Sequence, residues 1–243
     1  MRADILGVLF DNVLPEEALA GALSFLENDM ADMIFTPNPE MVMLARRDAE
    51  FMEILNSASL LIPDGIGIVY ASRLTKSKIS RRVPGIDLLI DLFGAIQNTD
   101  KTLFFLGGAP GVAEAAADKV REGFPGLSVV EARHGYFRDE DDEDVIAAIN
   151  AVKPDIVLVG LGFPRQEKWI YRYRDKLDTR LLIGVGGSLD VLSGKLRRAP
   201  KFFQKLGLEW LYRLLRQPKR IWRQRVLVKF AMVVLYKKMR GEL

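Results

Sequence analysis

"DIVLVGLGFP", residues 155–164, decides the fold. After Asp155 the chain runs through Ile156, Val157, Leu158 and Val159 into Gly160, Leu161 and Gly162 with no polar residue between. A strand wet on one face alternates apolar and polar side chains, whereas an unbroken apolar run is covered on both faces, as the strands of a parallel sheet are. The same run into glycine recurs in "KTLFFLGGAPG" (101–111) and "RLLIGVGGSLD" (180–190). "DMIFTPN" (32–38) and "SLLIPDG" (59–65) are shorter strands ending in polar turns, and "PEMVMLARRDAEFMEILNSA" (39–58) between them has helical spacing. Strands alternating with amphipathic helices predict an α/β protein with an open, doubly wound, Rossmann-like and mainly parallel sheet.

Ligands of such sheets bind beyond the carboxyl ends of the strands. That rule gathers Thr36, Asn38, Asp64, the 107–111 glycine turn with Gly108, the 162–166 turn with Gly162 and Gln166, and the 186–190 turn with Gly187 and Asp190 at one edge. Asp64 is the sharpest of these. It sits between Pro63 and Gly65 in an otherwise uncharged stretch, and a carboxylate there is either a turn or helix-capping residue or a general base with its proton affinity raised by apolar surroundings. Asn38 before Pro39 reads first as a helix cap. The glycine turns suit backbone donation to phosphate, or close packing alone; none of them fits the G-x-G-x-x-G dinucleotide pattern, so a nicotinamide enzyme is weakly supported.

The chain of 243 residues carries a net charge of +3 that hides an asymmetry. From residue 195 onward there are 15 basic residues and 2 acids, Glu209 and Glu242, or +13; the remaining 20 basic and 30 acidic residues leave −10 for residues 1–194. We therefore expect an α/β core over 1–194 and a basic, helical appendage over 195–243 that seeks an anionic surface, with Pro218 separating two helices. Its apolar stripe suits packing on the body, a homo-oligomer interface, or a membrane surface, and the last reading is preferred. No nucleic-acid-binding motif is present. The tract "VLVKFAMVVLY" (226–236), interrupted by Lys229, is too short to span a bilayer, and "MRADILGVLFDNV" lacks the apolar core of a secretion signal.

With no cysteine, thiolate metal sites and disulfides are excluded, as suits a reducing cytoplasm, and the single histidine, His134, excludes a histidine metal cluster. His134 reads as structural or as a neighbour of Tyr136. The acids of "RDEDDED" (138–144) read more simply as complementing the positive end of the helix that follows than as a metal site.

Taken together, "TPNPE", "LIPDGIGIV", "RRVPG", "HGYF", "GLGFPRQEKWI", "GVGGSLDVLSG", "RRAP" and "LGLEWLYRL" occur in the order found in the WecG/TagA/CpsF family of bacterial glycosyltransferases, which this chain resembles from about residue 4 to 225. The resemblance implies an inverting, metal-independent transferase without a cofactor. It would move a sugar from a UDP-sugar to a polyprenyl-diphosphate-linked acceptor at the cytoplasmic face of the plasma membrane, held there peripherally. The nearest branch by resemblance moves N-acetylmannosamine to N-acetylglucosaminyl-diphospho-undecaprenol, in synthesis of the wall teichoic acid linkage unit. Other donors, UDP-N-acetylmannosaminuronate or UDP-glucose, and a non-enzymatic nucleotide-sugar sensor are the competing readings. By position, the resemblance implies Asp64 as the base; Thr36, Asn38 and Gln166 around the sugars; Arg82 as a cleft arginine; Tyr136 and Asp190 on the uridine; and Arg213, Arg220 and Arg223 near the diphosphates.

Overall fold

The computed structural model describes residues 2–75, 78–216 and 221–243. Six parallel strands form the sheet: β3 (Asp32–Phe35), β4 (Leu60–Leu61), β5 (Thr102–Gly107), β6 (Ser128–Arg133), β7 (Ile156–Gly160) and β8 (Leu181–Gly184), in the order β4-β3-β8-β7-β5-β6. A separate antiparallel hairpin, β1 (Arg2–Ile5) and β2 (Val8–Asp11), opens the chain.

The apolar runs are buried on both faces as their sequence requires. Leu103, Phe105, Ile156, Leu158 and Ile183 point into one cluster, with α1 (Pro15–Phe25), α5 (Gly85–Ile96) and α6 (Val112–Gly123). Phe104, Leu106, Val157, Val159 and Leu182 point the other way, into a cluster with α2 (Pro39–Ala45), α3 (Ala49–Asn56), α4 (Ile66–Ser72), α7 (Asp142–Val152) and α8 (Arg165–Tyr173). Each buried Leu, Ile or Phe contributes about 1.5–3 kcal/mol. The two clusters make this sheet the centre of the molecule.

The helical stretch 39–58 is two helices, not one. Asp48 interrupts it, its Oδ1 accepting from the Phe51 N–H at 3.0 Å as the cap of α3. The acids of 138–144 are used structurally: Asp142, Glu143 and Asp144 occupy the first turn of α7. Buried Asp142 accepts from Trp169 Nε1 and Tyr173 Oη, both at 2.8 Å.

Beyond β8 come α9 (Ser188–Leu192), α10 (Lys201–Lys205), α11 (Glu209–Arg216) and α12 (Ile221–Met239). Pro218, expected as a helix breaker, lies outside the described residues. Helix α12 packs against α2 and α4, and its Phe230 and Val234, one turn apart, are buried in the second of the two core clusters. Its opposite side exposes Val228, Met232 and Met239, again at helical spacing. No helix among the described residues is long and apolar enough to cross a membrane.

The connection leaving β5 runs outward to β6, and the one leaving β7 runs the other way to β8, so the winding of the sheet reverses between β5 and β7. Crevices open at such reversals. Here the strands approach so closely at their carboxyl ends that a Cβ on Gly107, which holds φ +145°, would lie 2.4 Å from the Gly160 carbonyl oxygen.

Candidate active site

Two connected cavities lie along the carboxyl edge of the sheet. The smaller, about 940 Å³, sits at the reversal and is walled by the glycine turns after β5, β7 and β8, with Tyr136, Asp190 and Lys195 at its sides. The larger, about 1430 Å³, extends past Gly162 and Gly186 towards β3 and β4 and is roofed by α11 and α12. The sequence-derived residues divide between them. Gly108 and Tyr136 line the first, Thr36, Asn38, Asp64, Arg82 and Gln166 line the second, and Gly162, Gly187 and Asp190 line both.

Asn38 caps α2: its Oδ1 accepts from the Glu40 and Met41 N–H groups at 2.8 and 3.2 Å, with Pro39 in the first turn. The cap fixes its side chain at the cavity wall. Asp64 does not cap the helix that follows it. Gly65 occupies that position, no side chain caps α4, and a Cβ on Gly65 would come 2.7 Å from Pro39 Cδ. The amino ends of α2 and α4 are thereby pressed together, which sets Asp64 beside Asn38.

The expectation of apolar surroundings for Asp64 is corrected by the structure. Its Oδ1 is ion-paired with Arg82 Nη2 at 3.1 Å, Arg82 Nε donates to the Asp64 carbonyl oxygen, and the side chain retains 34% of its exposure. No pattern in the sequence signals this pairing across 18 residues. It arises because the segment carrying Arg82 lies beside the 62–64 turn, with the Val83 N–H donating to the Pro63 carbonyl at 3.1 Å. Among the described residues Asp64 Oδ2 makes no hydrogen bond, which leaves it open to the cleft.

Arg82 also meets Glu209 of α11, whose Oε2 stands 2.6 Å from Nη2. Burial alone disfavours the guanidinium's charge, but the Asp64 and Glu209 carboxylates outweigh it and hold Arg82 above the ordinary arginine value. Glu209 Oε1 faces Arg198 Nε at 3.5 Å, and Arg198 Nη1 reaches Asp87 Oδ1 at 2.5 Å. An alternating chain of charges thus runs from Asp64 to Asp87.

On the far wall Gln166 is held at both ends of its amide. Oε1 accepts from the Gly186 N–H at 3.0 Å, and Nε2 donates to Glu167 Oε1 at 2.5 Å. Glu167 is fully buried, and desolvation pushes its carboxyl up to about 7, although the bond from Gln166 and a backbone donor pull the other way. A Glu in the first turn of a helix is ordinary, so nothing in the sequence marks this residue out.

In the smaller cavity Tyr136 is 71% exposed, presenting its ring at the rim, and its N–H donates to His134 Nδ1 at 3.2 Å. His134 is thus the neighbour of Tyr136 that the sequence allowed. Arg165 holds the same loop by donating to the Gly135 and Phe137 carbonyls at 3.1 and 2.6 Å. Asp190 Oδ1 lies 3.8 Å from Lys195 Nζ. Arg220 and the side chains of Arg213 and Arg223 lie outside the described residues. No cluster of three or more His, Asp or Glu able to hold a metal ion occurs among the described residues.

Residues 3–242 match the family model described as "Glycosyl transferase WecG/TagA/CpsF family". The chain is similar to the N-acetylglucosaminyldiphosphoundecaprenol N-acetyl-beta-D-mannosaminyltransferase of Staphylococcus aureus strain MRSA252, 38% identical over 224 residues, 91% of this chain and 87% of that protein. The protein of the same name from strain MW2 is similar to the same extent, 38% over 224 residues.

Proposed function

This chain belongs to the WecG/TagA/CpsF family of glycosyltransferases, and on that premise we propose that it transfers N-acetylmannosamine from UDP-N-acetylmannosamine to N-acetylglucosaminyl-diphospho-undecaprenol with inversion, at a membrane surface and without a metal. The observation that carries the reading is the pairing of the two cavities: a glycine-walled pocket with Tyr136 at its rim shares the wall formed by Gly162, Gly186, Gly187 and Asp190 with the cleft that Asp64 lines.

In this reading the uridine stacks on Tyr136 and hydrogen-bonds Asp190, and the diphosphate lies over the glycine turns. The sugar reaches past Gly162 towards Gln166, Thr36 and Asn38. The acceptor hydroxyl enters on the opposite side, beside Asp64 Oδ2, where its proton passes to the carboxylate as its oxygen bonds to the anomeric carbon. The bond from that carbon to the β-phosphate oxygen breaks, and UDP takes the electron pair. Attack and departure on opposite faces give inversion. Positive charge for the departing diphosphate comes from side chains, since Lys195, Arg197 and Arg198 line the cleft, and guanidinium groups suit phosphate oxygens. Arg213, Arg220 and Arg223 are proposed to join them. The outward stripe Val228, Met232 and Met239 beside Arg225, Lys229, Lys237 and Lys238 is proposed to meet the anionic lipid surface that holds the acceptor.

The test is product analysis with purified full-length protein, UDP-N-acetylmannosamine and a short-chain N-acetylglucosaminyl-diphospholipid. The expected product carries one added N-acetylhexosamine with inverted anomeric configuration. Transfer from UDP-glucose or UDP-N-acetylmannosaminuronate in preference would reassign the donor.

A further inference from the structure

Glu209 is out of place by composition. It is one of two acids in a segment of formal charge +13, and it is the buried one, with 9% of its side chain exposed. A lone carboxylate is expensive to bury, and it is retained when paired on more than one side. Glu209 is paired on both: Oε2 with Arg82 at 2.6 Å and Oε1 with Arg198 at 3.5 Å. The other tail acid, Glu242, meets only its neighbour Arg240 among the described residues, at 2.7 Å and on the surface.

The partner matters more than the burial. Arg82 Nη2 is shared between Glu209 of the tail and Asp64 of the core, and the contact to Glu209 is the shorter. Arg82 belongs to neither α11 nor the β4–α4 turn, so its guanidinium is placed by the two carboxylates together with the Asp64 carbonyl oxygen. We propose that Glu209 is a positioning residue which locks α11 onto the core through Arg82 and thereby holds Arg82, and with it Asp64, in the arrangement the reaction uses. Arg198 steadies Glu209 from behind through Asp87, 2.5 Å away. When α11 lifts, Arg82 loses its Glu209 anchor and keeps only those to Asp64, and roof and reaction site come apart as one event. The positional side of this proposal stands on geometry alone; its kinetic side rests on the transferase reading.

Two measurements separate the positional side from the kinetic one. The 15 basic residues from Lys195 onward make the tail a substrate for trypsin, so native-state cleavage within α11, after Arg213, reports α11 opening without donor or acceptor. Full-length wild type, Glu209→Gln, Arg82→Gln and the double variant are compared, with Glu242→Gln as a surface control and Glu209→Asp in case Glu209→Gln folds poorly. Breaking a largely buried pair from either side is expected to speed tail cleavage on the order of 10²-fold, and the double variant no more than either single one. Glu242→Gln is expected to match wild type. Effects that multiply in the double variant, or wild-type cleavage in Glu209→Gln, would overturn the lock. In the transfer assay Glu209→Gln is expected to lower kcat at least about tenfold with donor KM little changed, and Glu209→Asp to recover some of the loss. A raised KM at unchanged kcat would overturn the positioning role. Absence of transfer by wild type would count against the transferase reading, while the cleavage cycle would still decide the lock.

Discussion

Replacing Glu167 by glutamine removes a buried acid and changes almost nothing in shape. Glu167 Oε1 accepts from Gln166 Nε2 at 2.5 Å, a bond the new amide oxygen can keep, while Oε2 is buried with no hydrogen-bond partner among the described residues. Desolvation raises this carboxyl from the ordinary glutamate value of 4.5 to about 7, so the folded protein holds the proton where the unfolded chain has released it. Stability from this group is therefore complete below about pH 4.5 and is lost as pH rises to about 7, at roughly 1.4 kcal/mol per pH unit. The total is about 3 kcal/mol, a large fraction of the stability of an ordinary domain. Urea unfolding of wild type and Glu167→Gln at intervals from about pH 4.5 to 8 measures it, with the difference between the two curves isolating this residue. The wild-type curve should fall by about 3 kcal/mol relative to the variant across the window and run parallel to it above. Parallel curves throughout would show that Glu167 is ionised and satisfied in the fold, and would refute the reasoning.

Gly65→Ala places a Cβ 2.7 Å from Pro39 Cδ and pushes the amino ends of α2 and α4 apart. A displacement of Asp64 by about 1 Å is expected to cost on the order of 10²-fold in kcat, read by steady-state kinetics with the fold checked by circular dichroism. Asp142→Ala strands the Trp169 Nε1–H and Tyr173 O–H donors and is expected to cost about 2–3 kcal/mol in urea unfolding with UDP affinity unchanged. Phe230→Ala removes a side chain of α12 buried in the second core cluster and is expected to cost about 3 kcal/mol and to raise proteolysis of the tail. A wild-type melt in that variant would mean α12 does not rest on α2 and α4.

The sheet was legible wherever burial on both faces erased the polar half of the pattern. Leu103–Leu106 and Ile156–Val159, short and running into glycine, read as covered strands, and the glycines after them marked the edge where the cavities lie. The hairpin of β1 and β2 escaped notice because its turn runs through Leu6 and Gly7, and Leu6 at φ +59° is a residue that does not advertise a left-handed turn. The break at Asp48 was hidden because apolar spacing continues across it, while the capping aspartate is legible only when its own helix is suspected.

The site shows the same division. Thr36, Asn38, Asp64, Gln166 and Asp190 each follow a strand, so strand assignment alone delivered them to one edge. Arg82 and Glu209 came from segments whose placement depends on tertiary packing, and only the resemblance supplied the arginine. Glu209 did carry a signal: a carboxylate surrounded in sequence by fifteen cations is anomalous, and anomalies of charge are where pairing should be sought. Glu167 carried none, since its burial follows from the side of α8 that faces the sheet.

Asp64 as the base of a sugar transfer is the central claim of the proposed function. UDP release from UDP-N-acetylmannosamine and the short-chain N-acetylglucosaminyl-diphospholipid tests it, with wild type and Asp64→Asn side by side in EDTA and UDP binding measured separately. Sustained release by wild type is expected, with UDP bound equally by both proteins but turnover by Asp64→Asn reduced at least about 10²-fold, the lower end of what general acid–base catalysis supplies. Turnover by Asp64→Asn at the wild-type rate would contradict the assignment.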